Sequence, residues 1–267
     1  MARAATLLII AGSDSGGGAG IQADLKSASA RGVYAATAIT AITAQNTLGV
    51  QAVETLPPDL VAAQIGSILS DIGADAVKIG MLGAAGIVEA VAGALDGYDG
   101  PVVLDPVMVA KSGDPLLPDD AVAALRDRLL PRATVLTPNL PEAARLLGCD
   151  PATTPGEAAR QGEALRALGP RAVLMKGGHA EGATCRDLLV REGEPVTLEA
   201  ARIATRNTHG TGCSLASALA AELARGADIE TAARRAHGWL QGAIAAADGL
   251  GIGQGHGPVH HFHGIWP

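Results

Sequence analysis

Short apolar runs that end in glycine-rich or polar loops recur along the chain, and this recurrence limits the fold more than any other feature. The runs occupy residues 6–11, 35–41, 76–79, 102–104, 134–136 and 172–175. Continuous apolar runs of this length are typical of strands buried on both faces of a parallel sheet. Stretches with helical start signals, such as 57–71 and 118–130, lie between them. The alternation predicts an α/β fold, with a parallel sheet covered by helices on both faces.

The last third of the chain differs in character. Residues 210–225 and 230–247 are rich in alanine and predict two consecutive helices, whereas 249–267 are rich in glycine and histidine and predict irregular structure. No long linker and no break in composition divides the chain into separate parts. One domain spanning residues 1–267 is therefore the expected organisation.

Composition restricts the partners. A formal net charge of -7 argues against general attraction to nucleic acid or to anionic membranes, which favour a basic surface. The apolar run at residues 7–11 is too short for a signal segment or a membrane span. The three cysteines are far apart in sequence, which argues against a disulfide framework or a zinc site and favours the reducing cytoplasm.

A glycine-rich first loop, residues 12–20, follows the first predicted strand and leads into a helix that contains Asp24. It matches neither a P-loop, which needs a lysine that is absent here, nor the GxGxxG spacing of dinucleotide-binding loops. The glycines could let the backbone approach a ligand closely. A flexible strand-to-helix turn is an equally good interpretation.

Carboxylates and an amide follow two of the predicted strands. Asp105 ends one strand, and Asn139 and Glu142 follow the next. Oxygen ligands at neighbouring strand ends suit Mg²⁺, which usually takes one or two carboxylates together with water and phosphate. Asn139 and Glu142 also have the spacing of a helix capping box, which by itself is the simpler interpretation.

The helix-entry loop, residues 208–213, precedes one of the alanine-rich helices. Gly210 and Gly212 leave backbone N–H groups exposed at a helix N-terminus, where the helix dipole favours an anion such as a transferring phosphoryl group. Cys213 would lie in the first turn, a position that lowers a thiol's pKa. From the residue alone, a small buried cysteine is the commoner outcome.

Other basic side chains admit two interpretations. Lys176 ends a predicted strand and could neutralise phosphate oxygens, although a lone lysine at a strand end is usually a solvated charge. The seven histidines form no HExxH motif. The four in the tail, at positions 256, 260, 261 and 263, are expected at the surface.

Several of these motifs occur together and in a fixed order. They are Ile10 to Asp24 (IAGSDSGGGAGIQAD), Thr40 to Thr47 (TAITAQNT), Asp105 to Gly113 (DPVMVAKSG), Thr137 to Ala143 (TPNLPEA), Lys176 to His179 (KGGH) and Asn207 to Cys213 (NTHGTGC). In this the chain resembles the hydroxymethylpyrimidine and phosphomethylpyrimidine kinases of thiamine biosynthesis, within the ribokinase superfamily. The resemblance implies a ribokinase-like three-layer αβα sandwich with a mostly parallel central sheet.

The resemblance also implies roles for individual residues. The first loop would face a pyrimidine, with Asp24, Gln45, Met81 and the backbone of Val107 lining the substrate pocket. An amide such as that of Gln45 can donate and accept at once, which matches the amino group and ring nitrogen of an aminopyrimidine.

On the nucleotide side, the resemblance implies that Asp105, Asn139 and Glu142 organise Mg²⁺ through water. Lys176 would hold ATP phosphates, and Gly210, Thr211, Gly212 and Cys213 would bind the γ-phosphate. Cys213 would accept the proton of the substrate hydroxyl, where most of the superfamily has aspartate. Lys111 would belong to a flap, residues 111–114, that closes over the phosphates; an ordinary exposed connection is an equally good interpretation of that segment.

The expected reaction is ATP-dependent phosphorylation of 4-amino-5-hydroxymethyl-2-methylpyrimidine to its monophosphate and then to its diphosphate. A pyridoxal or pyridoxine kinase is the main alternative, because that vitamin also carries a hydroxymethyl group on a flat heteroaromatic ring. A pyrimidine-binding protein without activity is a third. The superfamily resemblance suggests a homodimer.

Overall fold

The computed structural model of the chain describes residues 3–109, 116–178 and 182–266. Lys111, the rest of the expected flap and His179 lie outside the described residues. Among those that are described, every helix is too short or too polar to cross a membrane.

Within the described residues, ten strands form a large sheet and a separate hairpin. The large sheet has the order β10-β9-β8-β7-β6-β5-β1-β2, parallel from β2 to β8 and antiparallel at β9 and β10. β3 and β4 form the antiparallel hairpin, with a bulge between Ala44 and Gln45. The strands are β1 Thr6–Ala11, β2 Tyr34–Ile39, β3 Ala41–Asn46, β4 Gly49–Thr55, β5 Ala76–Ile79, β6 Val102–Leu104, β7 Val135–Leu136, β8 Ala172–Met175, β9 Thr184–Val190 and β10 Val196–Ala201.

Helices cover both faces of the large sheet. The helices are α1 Gly20–Ala30, α2 Pro58–Asp71, α3 Ala85–Ala94, α4 Asp119–Arg128, α5 Leu140–Leu147, α6 Pro155–Arg166, α7 Thr211–Ala224 and α8 Ile229–Ala245. In one core cluster, the five helices from α2 through α6 pack against one face of the sheet. In a second cluster, α1, α7 and α8 pack against the other face. This arrangement confirms the three-layer sandwich with a mostly parallel sheet.

Local sequence explains where several helices begin. α2 begins at Pro58 and has Asp59 in its first turn, where a negative charge interacts favourably with the helix dipole. α5 and α6 both begin with a complete capping box, formed by Asn139 with Glu142 and by Thr154 with Glu157. The helical start signals in the sequence therefore correspond to physical caps.

The structure differs from the pattern of apolar runs at two places. The predicted strand at 35–41 ends at Ile39, and a new strand, β3, begins at Ala41 and pairs with β4 outside the large sheet. β9 and β10 add an antiparallel edge. These four strands have exposed or mixed faces, so they carry no continuous apolar run of the kind that identifies a buried parallel strand.

Candidate active site

A cavity of about 1100 Å³ opens at the carboxyl ends of the parallel strands. β1 lies between β2 and β5. The strand that follows β1 is added on one side of it and the later strands are added on the other side, so the strand order reverses between β1 and β5. Ligands of open α/β sheets bind in the crevice at such a point. The loops that follow β1, β5, β6, β7 and β8 all contribute residues to the cavity wall.

Asp14 organises the first loop from within. Its carboxylate is buried and accepts hydrogen bonds from the backbone N–H groups of Gly16, Gly18 and Ala19. Its Oδ2 also lies 2.8 Å from Nε2 of His209 in the helix-entry loop. The His209 and backbone hydrogen bonds hold the pKa of Asp14 below its usual value, although burial opposes them. The loop is therefore a built structure around a buried anion and not a flexible turn.

Gln45 lies at the rim of this loop on β3. The Ser15 hydroxyl accepts from the backbone N–H of Gln45 at 2.8 Å and donates to its carbonyl at 2.8 Å, which fixes the backbone at the bulge. The Gln45 side chain, Met81 and Val107 all line the cavity. A Cβ at Gly12 would lie 2.4 Å from Cε of Met81, so a larger residue there would displace the end of the Met81 side chain. Three of the four residues expected to face substrate are thus together.

Asp24 is placed differently from the other three. It is fully buried, Nζ of Lys78 lies 2.7 Å from its Oδ2, and the hydroxyl of Ser217 donates to its Oδ1 at 2.7 Å. Lys78 lines the cavity, whereas Asp24 is not among the described residues that do. Lys78 therefore lies between Asp24 and the cavity. Because a buried carboxylate is stable only when it is paired, Asp24 depends on this contact with Lys78.

A second ion pair forms the floor of the cavity on the side of β6 to β8. Nζ of Lys176 lies 2.7 Å from Oδ1 of Asp105 and 3.8 Å from Oε2 of Glu142. Thr137 donates to the same Asp105 oxygen. The two carboxylates raise the pKa of Lys176 even though burial opposes this, so the lysine stays charged. The alternative of a solvated edge charge is wrong for Lys176.

Asn139 and Glu142 form the capping box of α5, which was the simpler of their two interpretations. Asn139 Oδ1 accepts from the Glu142 N–H, and Oε2 of Glu142 accepts from the Asn139 N–H, both at 2.8 Å. Burial and the neighbouring Asp105 raise the pKa of Glu142 to about 7. The box does not remove these residues from the cavity wall, which both still line.

The donor set near Lys176 fits Mg²⁺ of the kind that a nucleotide brings. Within residues 3–109, 116–178 and 182–266, no three His, Cys, Asp or Glu side chains lie close enough to hold a metal ion by themselves. Mg²⁺ commonly binds through only one or two carboxylates, with water and phosphate completing its shell. Asp105 and Glu142 are two carboxylates on one wall that could serve in this way.

The helix-entry loop faces the same wall. Gly210 stands at the N-cap of α7 with a φ of 77°, and the helix begins at Thr211. A Cβ at Gly212 would lie 3.3 Å from Nζ of Lys176 and 3.6 Å from Oδ2 of Asp105. The N-terminus of a 14-residue helix thus meets a buried ammonium, an arrangement suited to an anion.

Cys213 lies in the first turn of α7 on the cavity wall, but the expected lowering of its pKa is wrong. Burial, with a smaller contribution from the Asp24 and Asp105 carboxylates, raises the pKa of the thiol to about 11. The ammonium of Lys78 and the backbone N–H of Gly20 act in the opposite direction and are outweighed. Position at a helix N-terminus is therefore not enough to ionise this cysteine.

The tail is irregular as expected, and it packs against the helix-entry loop. His209 donates its backbone N–H to the Gly257 carbonyl at 3.0 Å, and the two segments form a parallel bridge between His209 and Pro258. The expectation that the tail histidines lie at the surface is wrong for His261. That residue is 4% exposed and its Nε2 lies 3.0 Å from the Ser214 hydroxyl.

Sequence reasoning missed three polar residues of the site. Lys78 is hidden in an apolar strand, and a lysine in a buried run is itself a signal, because an unpaired charge is rarely found there. Asp14 was treated only as part of a glycine run. His209 was noted in its motif without a role.

Comparisons with known proteins identify the family of the chain. The family model described as phosphomethylpyrimidine kinase matches residues 14–260. The chain belongs to the phosphomethylpyrimidine kinase family. Within the family, it is 55% identical over 262 residues to the hydroxymethylpyrimidine/phosphomethylpyrimidine kinase of Rhizobium meliloti, covering 98% of each chain.

Solved structures include a member of the same family and a second kind of vitamin kinase. The phosphomethylpyrimidine kinase of Clostridium difficile is 41% identical, with a TM-score of 0.80 over 91% of this chain and 100% of the other. The pyridoxal kinase of Bacillus subtilis, solved as an ADP complex, is 38% identical, with a TM-score of 0.89 over 97% of this chain and 98% of the other.

Proposed function

We propose that this member of the family transfers phosphate from ATP to 4-amino-5-hydroxymethyl-2-methylpyrimidine, and then to the resulting monophosphate. The observation that carries the proposal is the joint lining of one cavity by two sets of residues. Gln45, Met81 and the first loop form one end, and Lys176 with the helix-entry loop forms the other. An alcohol held at the first end would face a phosphate held at the second.

The nucleotide end would bind ATP phosphates with Lys176 and the N-terminus of α7. Asp105 and Glu142 would hold Mg²⁺ through water, and Asn139 keeps Glu142 in place through the capping box. The metal would supply neutralisation of phosphate charge. Lys111 would add a further cation; this part of the proposal rests on the family resemblance alone.

Cys213 would accept the hydroxyl proton, and it can do so only as the thiolate. A pKa of about 11 leaves roughly one thiolate in ten thousand at pH 7. Phosphoryl transfer depends mainly on positioning and on charge stabilisation, so a small thiolate population can support turnover. Lys78, whose ammonium favours the thiolate, lies on the same wall.

A pyridoxal kinase activity is the second candidate, because pyridoxal kinases are among the solved structures with the same fold. The pyrimidine is favoured by Gln45. Its amide offers a donor and an acceptor side by side, whereas the face of pyridoxal presents a phenolic oxygen and no amino group.

The test is ADP formation from MgATP with each alcohol in turn, beside binding of each alcohol measured by calorimetry without nucleotide. The pyrimidine alcohol and its monophosphate should both support turnover with a higher kcat/KM than pyridoxal. Cys213→Ala should lower kcat by at least about 100-fold and change the affinity for the alcohol little. Tight pyrimidine binding without turnover would instead identify a binding protein.

We also propose a homodimer of single-domain subunits that acts in the cytoplasm. The family resemblance supports the dimer. One continuous core cluster contains residues of strands from β1 through β8, which supports a single domain. Analytical ultracentrifugation would measure the mass in solution.

A further inference from the structure

Asp14 and His209 are 195 positions apart in sequence, yet they form one buried pair between the two ends of the cavity. Their facing atoms, Oδ2 and Nε2, are 2.8 Å apart, and both side chains are at most one-tenth exposed. Asp14 is held as the anion by its low pKa, so the proton in this contact belongs to the imidazole. His209 therefore donates to Asp14.

The first loop and the helix-entry loop interlock beside this pair. A Cβ on Gly18 would lie 2.5 Å from Cδ2 of His209, and a Cβ on Gly210 would lie 1.8 Å from the Gly18 carbonyl oxygen. Gly18 lets the first loop pack directly on the imidazole, and Gly210 allows a backbone contact that no other residue would permit. The position of Gly210, which begins the phosphate-facing helix, is thus set directly by the loop proposed to hold the alcohol.

The imidazole also touches the element that faces substrate. Its Nε2 lies 3.4 Å from Nε2 of Gln45, and its backbone is held from the other side by Gly257. His209 consequently contacts the first loop, the hairpin and the tail, and it directly precedes Gly210.

We propose that His209, anchored by Asp14, is a positioning residue that sets the distance between the acceptor alcohol and the phosphate-binding end of α7. This inference rests on the proposed function for the identity of the two ligands. The reacting atoms must be about 3–3.5 Å apart before transfer, and a displacement of 1 Å can lower the rate about 100-fold. A contact that joins the two loops therefore acts on kcat and not on the binding of either substrate.

The first experiment is steady-state kinetics of His209→Ala with and without added imidazole. We expect kcat to fall about 10- to 100-fold while both KM values stay within about threefold. Imidazole should restore part of kcat, because the empty ring site opens to the cavity and lies beside Asp14. His256→Ala is the matched control, since His256 is an exposed tail histidine, and its kcat should remain that of the wild type.

The second variant, Asp14→Asn, tests the same contact from the other side and keeps the shape of the side chain. It should lower kcat in the same way, without rescue by imidazole. The double variant should lose no more than the worse single variant, because both changes remove the same Asp14–His209 contact. Additive losses, unchanged kcat, or a rise in the alcohol KM alone would overturn the proposal.

Calorimetry separates this inference from the proposed function. In the wild type, a non-hydrolysable ATP analogue should change the affinity for the pyrimidine alcohol about two- to threefold, and this factor should fall towards one in His209→Ala, a change that stays within the range expected for KM. A wild type without kinase activity would contradict the proposed function. The coupling between the two ligands could still be measured in that protein, and its loss in His209→Ala would still test the inference. Equal coupling in both proteins would overturn the inference even if the wild type is an active kinase.

Discussion

The Cys213 thiol lies at a helix N-terminus and beside an ammonium, but burial governs its protonation. Because its pKa is raised to about 11, we expect slow alkylation by iodoacetamide at pH 7 and a rate that rises about tenfold per pH unit up to pH 9. Mass spectrometry of the labelled peptides would measure the rate. The exposed Cys149 provides an internal reference in the same sample. Faster labelling of Cys213 than of Cys149 at pH 7 would contradict the raised pKa.

Lys78 and Asp24 are a buried ion pair with no exposure of either side chain. Lys78→Met should lower the free energy of unfolding by about 3–5 kcal/mol, because it leaves the Asp24 carboxylate buried without a partner. The double variant with Asp24→Asn should recover much of that loss. Denaturant unfolding followed by circular dichroism would provide the values.

The control for this pair is Arg128→Met. Arg128 and Glu89 form an ion pair in which both side chains are about half exposed, and such pairs contribute at most about 1 kcal/mol. A loss in Lys78→Met no larger than in this control would show that Asp24 finds another partner.

The entry into α7 depends on a left-handed glycine in close contact with the first loop. Gly210→Ala combines a φ of 77° with a Cβ only 1.8 Å from the Gly18 carbonyl oxygen. Gly97→Ala has nearly the same φ, 81°, but open space around the Cβ. We therefore expect about 1–2 kcal/mol of lost stability in Gly97→Ala and normal kcat. Gly210→Ala should lose more stability and at least about 100-fold in kcat, measured on the same preparations. Equal losses of stability and kcat in the two variants would show that the first loop can move away from residue 210 at little cost.

The elements that sequence could predict are those whose signals are local. Each buried parallel strand is an apolar run, and the Asn139–Glu142 box lies within four residues. The hairpin and the β9–β10 edge were not predicted, because their strands combine buried and exposed residues and so lack a continuous apolar run. The site was predictable to the extent that family motifs carry it. Asp24 behind Lys78, Asp14 on His209 and the protonated Cys213 could not be predicted, because each depends on burial or on contacts between residues far apart in sequence.

At the scale of the whole molecule, the tail links stability to pH through His261. Burial, with Lys26 and His260 nearby, lowers the pKa of His261 to about 3. Between pH 6.5 and 3 the unfolded chain therefore binds a proton that the native state does not, and stability falls as pH falls through that window. From pH 6.5 to 5 the loss attributable to this residue should be about 2 kcal/mol.

His261→Gln keeps a polar group near Ser214 but cannot titrate. Its free energy of unfolding should therefore decline less than that of the wild type between pH 7 and 5. His256→Gln, at an exposed tail position, should follow the wild type. Parallel declines in all three proteins would assign the acid sensitivity to other groups.

The bridge between His209 and the tail also bears on how the protein is made. The first loop is synthesised well before the segments that pack against it, around residues 209 and 257. The parallel strands from β1 to β8 can assemble before then, since domains fold progressively as the chain lengthens. A nascent chain can thus acquire most of its core while its cavity still lacks one wall. Catalytic competence would then appear late and abruptly during translation, after most of the hydrophobic surface is already covered.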